Sequence, residues 1–156
     1  MIRAKKPLEA SKARLRLEEQ CSRAEMCSSE AMEKMRRWGV PQPEAAIVLK
    51  ELLASRFIDD ARFSRSFVRD KYRFAKWGRR KIVFALKQKR ICSDDILQAL
   101  DEIDMAEYQE ILSHVLAHKS RTMPDSGSYE AKMKLLRFAV GRGYEVDLAL
   151  KIIKSL

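Results

Sequence analysis

Three short segments of this chain end a helix in nearly the same way and at nearly equal distances. Met35-Arg-Arg-Trp-Gly39-Val40 matches Leu86-Lys-Gln-Lys-Arg90-Ile91, and both match Phe138-Ala-Val-Gly-Arg-Gly143-Tyr144. Gly39, Arg90 and Gly143 stand 51 and 53 residues apart. A second echo links residues 59–67 to residues 104–112, at an offset of 45. Repetition on this scale marks a supersecondary unit that cannot bury its apolar face alone and must pack on its neighbours. A chain built this way is restricted to tandem units.

The units are helical. Only 5 Gly and 4 Pro occur, 35% of residues are charged, and 46% are hydrophobic, enough for a core. Such a mixture favours helices over sheets. The first predicted helix, about residues 8–26, is very polar, with Leu15, Leu17, Ala24 and Met26 as apolar anchors and a frayed start. The second starts at Ser28-Ser29, either of which can cap by accepting an orphan N–H. It carries Met32 and Met35 on one face and stops at Gly39. The third opens at Pro43-Glu44, where a missing N–H costs nothing. Its apolar set is Ala45, Val48, Leu49, Leu52 and Leu53.

Asp59 is the next cap, with Ile58 and Phe63 spaced as a hydrophobic staple. This fourth helix is expected to reach Lys76, with Phe63, Phe67 and Phe74 on one stripe. Gly78 breaks it, and a fifth helix carries Ile82, Val83 and Leu86. Ser93-Asp94-Asp95 opens a sixth, with Ile96, Leu97, Leu100 and Ile103 apolar. Asp104 caps a seventh, with Tyr108, Ile111, Leu112, Val115 and Leu116 in register. Residues 122–128 form a loop. Two more helices, about 129–140 and 145–156, finish the chain. The expected fold is all-α, three tandem three-helix repeats over residues 1–58, 59–103 and 104–156, forming an elongated, curved molecule.

Charge is concentrated in the middle. Residues 62–90 hold twelve Lys or Arg against a single acid, Asp70, while the whole chain carries only +10. A solubilising face mixes signs, so a lopsided segment points to a binding surface for a polyanion or an acidic protein face. Arg62, Arg65, Arg69, Arg73 and Lys76 fall on one stripe of the fourth helix, and Arg79, Arg80, Lys81, Lys87 and Lys89 continue it along the fifth. The opposite run, residues 94–110, has seven acids and no Lys or Arg, and is read as supporting helix starts through the dipole. Trp77 and Phe84 are read as packing between repeats, although Phe84 lies off the Ile82/Leu86 stripe.

Other chemistry is not signalled. Cys21, Cys27 and Cys92 form no Cys-x-x-Cys pair and are expected as reduced thiols. The charged N-terminal residues suggest no secretory signal, and no apolar run suits a membrane span. A cytoplasmic protein is expected. His114 and His118 have i, i+4 spacing, but no third ligand is placed to complete a metal site. No phosphate loop or nucleophile–base set appears. The expectation is a non-enzyme with no catalytic residue, metal or cofactor.

The central block resembles the RecX regulatory proteins of bacteria. Phe57-Ile-Asp59-Asp60-x-Arg62-Phe63-x-Arg65-x-Phe67-Val68-Arg69, then Gly78-x-Arg80-Lys81-Ile82-x-x-x-Leu86-x-Gln88-Lys89, then Asp94-Asp95-Ile96, is similar to that family's central repeat. The flanking repeats match more loosely. The resemblance implies an all-helical, three-repeat protein without catalysis, acting in DNA repair and recombination. It would bind the RecA recombinase filament on single-stranded DNA, with double-stranded DNA as a further partner, and restrain RecA ATPase and strand exchange. A monomer with no membrane contact is expected. Arg56 and Arg90 stand where such proteins usually have glycine, Arg79 where proline is common and Trp38 where a basic residue is usual. A non-glycine residue in the left-handed region costs about 1 kcal/mol, so different capping is expected at Arg56 and Arg90. The competing reading is a stand-alone DNA-binding module of helix-turn-helix-like units.

Overall fold

The computed structural model describes residues 6–156. The charged N-terminal stretch that suggests no secretory signal lies partly in residues 1–5, outside the described residues. Nine α-helices and no strand occur among the described residues: α1 Ala10–Arg23, α2 Ser28–Arg37, α3 Gln42–Ala54, α4 Asp60–Arg73, α5 Arg79–Gln88, α6 Ser93–Leu100, α7 Met105–Arg121, α8 Tyr129–Gly141 and α9 Val146–Lys154. The all-α reading therefore holds. No helix among the described residues is long and apolar enough to cross a membrane.

The chain divides into two compact units. One holds the described residues up to Phe63 together with Lys89–Ile91; the other holds Ser64–Gln88 and Cys92–Leu156.

In the first unit α1 and α2 both pack on α3. Ala13, Leu17, Ala31, Met35, Ala45, Val48, Leu52 and Ile58 form its core. Ala13 was not expected there, and Leu15 and Ala24 are exposed instead of anchoring α1. The short apolar stripe of α1 runs through positions 13 and 17, one helical turn apart. The entry to α1 is tied down rather than frayed, because the Leu8 N–H donates to the Trp38 carbonyl at 2.9 Å. The cap of α2 falls one residue before Ser28. The Cys27 side chain and Glu30 form a capping box, and Glu30 Oε1 accepts the Cys27 N–H at 3.1 Å. Burial alone would raise the Glu30 carboxyl, but that N–H and the Lys89 ammonium outweigh it and hold the carboxyl low. Desolvation pushes the buried Cys27 thiol up. Leu53 is exposed, so α3 buries a narrower stripe than its sequence suggests.

In the second unit α7, α8 and α9 pack on one another and α5 packs on α6. Its largest fully buried side chains include Tyr72, Tyr108, Tyr144, Ile82, Leu86, Leu112, Leu116 and Leu135. α4 ends at Arg73, three residues before the expected Lys76. Phe74 lies beyond its last turn, so the helical period no longer carries it, and it is 79% exposed. Val68 and Tyr72 take the inward positions of α4 instead. Leu97 is likewise exposed, and Ala99 is buried beside Ile96.

The helix ends fall where the repeat places them. Gly39, Arg90 and Gly143 all take left-handed φ values, at 80°, 60° and 96°. Arg56 does the same at 61°. The two arginines are therefore not capped differently; they adopt the glycine conformation and bear its strain.

Candidate functional site

The ten cations singled out by sequence divide into two kinds. Four are already committed to carboxylates. Arg62 Nε donates to Glu25 Oε1 at 2.8 Å, and its Nη2 donates to the carbonyls of Arg56 and Phe57 at 3.1 and 3.3 Å. It closes the end of α3. Lys89 donates to Glu30 Oε2 at 3.2 Å and lies 5.9 Å from the Phe63 ring centre. Both belong to the first unit. In the second unit Arg73 makes a two-pronged contact with Glu107 at 3.0 and 3.3 Å. Arg79 Nη2 donates to Glu145 Oε2 at 2.9 Å. Hydrogen bonds to these carboxylates raise both guanidinium groups further above their usual range.

Arg79 opens α5, where proline would leave no N–H. Here the N–H is used: it donates to the Tyr108 hydroxyl at 2.9 Å, and that hydroxyl donates onward to Glu145 Oε1 at 2.7 Å. Burial first, and the Glu145 contact second, push the Tyr108 phenol well above the usual range.

The other six, Arg65, Arg69, Lys76, Arg80, Lys81 and Lys87, make no ion pair among the described residues. All six belong to the second unit. Arg65 and Arg69 are one turn apart on α4. Arg80 and Lys87 lie on one face of α5, and Phe84 between them is 62% exposed. Spacing of i, i+4 and i+7 gives α5 a basic face with an aromatic at its centre. Phe84 thus does not pack between repeats. Trp77 packs inside the expected central repeat: its ring meets Phe67 edge-on at 6.3 Å, with Lys71 Nζ at 4.6 Å and Lys81 Nζ at 4.4 Å from its centre. Those contacts tie the end of α4 to the start of α5. Phe74, expected on the apolar stripe of α4, is exposed instead, and Lys71, not among the ten cations, holds the Trp77 ring. The exposure of Phe74 follows from the early end of α4, which no local signal marks.

Positive charge without carboxylates, beside exposed aromatic rings, suits recognition of an anionic surface and steers its approach. No group of three His, Cys, Asp or Glu among the described residues is placed to hold a metal ion. His114 and His118 are both exposed.

Residues 59–100 match a family model described as the second three-helix domain of RecX. The chain is 28% identical over 131 residues to a regulatory protein RecX of Lactobacillus johnsonii, covering 81% of this chain and 47% of that one. It is 26% identical over 130 residues to one from Clostridium perfringens strain SM101, covering 81% and 60%. The chain thus spans about half to three-fifths of the length of these relatives. A crystal structure of a regulatory protein RecX superposes with a TM-score of 0.82 at 22% identity, over 94% of this chain and 72% of that one. RecX from Lactobacillus salivarius superposes with a TM-score of 0.77 at 20% identity, over 94% and 96%. The two superpositions establish the fold.

Proposed function

The chain belongs to the RecX family of regulatory proteins, and from that premise we propose that it acts on the RecA filament on DNA, without catalysis of its own. It restrains RecA ATP hydrolysis and strand exchange by docking through the second unit. The docking surface is the unpaired portion of the basic stripe: Arg65 and Arg69 on α4, Lys76 after it, and Arg80, Lys81 and Lys87 on α5. Arg62, Arg73, Arg79 and Lys89 serve the fold of their own units instead. The three-repeat division at residues 58 and 103, the monomeric state and the cytoplasmic location belong to the same reading. The observation that carries it is the α5 face, where Arg80, Phe84 and Lys87 are all exposed and none of the three meets a carboxylate.

The test is RecA ATPase on single-stranded DNA, titrated with the chain and with two variants. One is Arg80→Glu/Lys87→Glu and the other Arg65→Glu/Arg69→Glu. The wild type should inhibit, and the α5 variant should lose at least tenfold in potency. Undiminished inhibition by both variants would discard the surface. No inhibition by the wild type would discard the RecA reading and favour the stand-alone DNA-binding module.

A further inference from the structure

The acids that follow the basic helix are not all accounted for by helix starts. Asp94, in the first turn of α6, favours the positive end of that helix. Asp101, the C-cap of α6, does the opposite, because the last turn is the negative end and holds no base. The start of α5 is the mirror image. Its first turn holds Arg79, Arg80 and Lys81 and no acid, at the end where cations are disfavoured. Glu145 compensates Arg79. Arg80, Lys87, Asp94 and Asp101 make no ion pair among the described residues.

Each helix also shows solvent one large apolar side chain between its two charges. Phe84 is 62% exposed and Leu97 64%. Along α5 the order is Arg80, Phe84, Lys87, with intervals of four and three residues. Along α6 it is Asp94, Leu97, Asp101, with intervals of three and four. Both series follow one helix face, since 3.6 residues per turn brings i, i+3 or i+4, and i+7 together. Asp101 keeps φ and ψ of −65° and −16°, so the face of α6 continues through it. Laid antiparallel, the two faces coincide position for position. Arg80 falls opposite Asp101, Phe84 opposite Leu97 and Lys87 opposite Asp94. Charges misplaced on their own helices thereby meet the opposite sign, and the two apolar side chains meet each other. Within one chain this match is not made. α5 and α6 pack on each other, yet all six side chains remain exposed. Both faces lie in the second unit, so a second copy offers both of them together.

We propose that two copies of the chain pair through these faces, with α5 of one antiparallel to α6 of the other. Every copy carries both faces, so a two-fold dimer makes the contact twice. Three side chains a face is small beside the roughly 800 Å² per partner of a stable interface, so pairing is weak, with Kd on the order of 10–100 μM. Pairing covers Arg80, Phe84 and Lys87. On the filament reading above, on which this consequence rests, a paired copy cannot dock, and the monomer is the form that acts.

The test is sedimentation velocity of the full chain without RecA, from about 5 to 500 μM in about 50 mM NaCl. The wild type should move from monomer towards dimer over this range, and about 500 mM NaCl should weaken the association roughly tenfold. Lys87→Glu and Asp94→Lys, both at exposed positions, should each weaken it by roughly tenfold or more, with unchanged circular dichroism melts. Lys87→Glu/Asp94→Lys in one chain restores opposite charges across the contact and should recover the wild-type association. Lys87→Glu/Asp101→Lys sets like charges opposite each other at both ends and should not. A wild type that stays monomeric throughout overturns the proposal. Association unchanged by the single reversals overturns it too, as does a folded Lys87→Glu/Asp94→Lys variant that recovers nothing. Because the sample contains no RecA, any of these failures leaves the filament reading standing.

Discussion

Gly78 and Gly143 lie backbone to backbone. The Gly78 N–H donates to the Arg142 carbonyl at 2.7 Å, and the Arg80 N–H donates to the Gly143 carbonyl at 3.1 Å. A Cβ on Gly78 would overlap the Gly143 carbonyl, and a Cβ on Gly143 would overlap the Lys81 side chain and N–H. The break between α4 and α5 is therefore a seam that joins the start of α5 to the end of α8, and it excludes side chains on both sides. Gly78→Ala must push these hydrogen-bonded backbones away from each other. It should cost more than about 2 kcal/mol, as overpacking against immovable atoms does. Urea denaturation of the single variant measures it.

The tyrosines give the fold a limit at alkaline pH. Burial raises the Tyr108 phenol far above its ordinary range and pushes Tyr144 up to about 12. An unfolded chain releases these protons near the ordinary value of about 10, while the folded chain retains them. The folded state then binds more protons, so stability falls as pH rises past about 10. It is complete below that value. Melting temperature followed from about pH 8 to 11.5 should drop above 10, and Tyr108→Phe should flatten the drop. Tyr108→Phe should also cost about 1–3 kcal/mol at neutral pH, because the Arg79 N–H loses its acceptor.

Arg56 and Arg90 are exposed residues held at φ of 61° and 60°. Glycine adopts this region without the Cβ penalty of about 1–2 kcal/mol, but loses more freedom on folding. Arg56→Gly and Arg90→Gly should each stabilise the chain by roughly 0.5–1 kcal/mol net. Arg56→Ala should give no such gain. Thermal melts of the three variants separate conformation from loss of charge.

The basic stripe should split cleanly by substitution. Arg62→Ala strips Glu25 of its partner, and Glu25 Oε2 is already buried without one. A cost of about 1–2 kcal/mol is expected, discounted because the pair is partly exposed. Arg80→Ala and Lys87→Ala touch no partner and should change stability by less than about 0.5 kcal/mol. Denaturation midpoints for the set decide it, and a loss at Arg80 equal to that at Arg62 would contradict the division.

Local chemistry was legible in the sequence, and distant pairing was not. Asp104 accepts the N–H groups of Ala106 and Glu107, and Asp59 accepts that of Arg62, because capping needs only neighbours in the chain. Gly39 could be read as a left-handed helix end because glycine tolerates that region, whereas Arg90 was expected to be capped differently and takes the left-handed φ all the same. The fate of the stripe could not. Arg62 finds Glu25 at 37 residues' distance, Lys89 finds Glu30 at 59, and Arg79 finds Glu145 at 66. Glu107 lies in the acidic run assigned to helix starts, yet it holds Arg73. Phe74 misled for a related reason, since periodicity predicts a face only while the helix continues.

The Tyr108 hydroxyl has a consequence for binding. It accepts from the first residue of α5 and donates to Glu145, which also grips the Arg79 side chain. One buried phenol and one carboxylate thereby fix the end of the helix that presents Arg80, Phe84 and Lys87. A partner docking on those residues meets a surface whose backbone is already ordered. Little conformational entropy is left to lose on association, so affinity is set by desolvation and charge at the face itself.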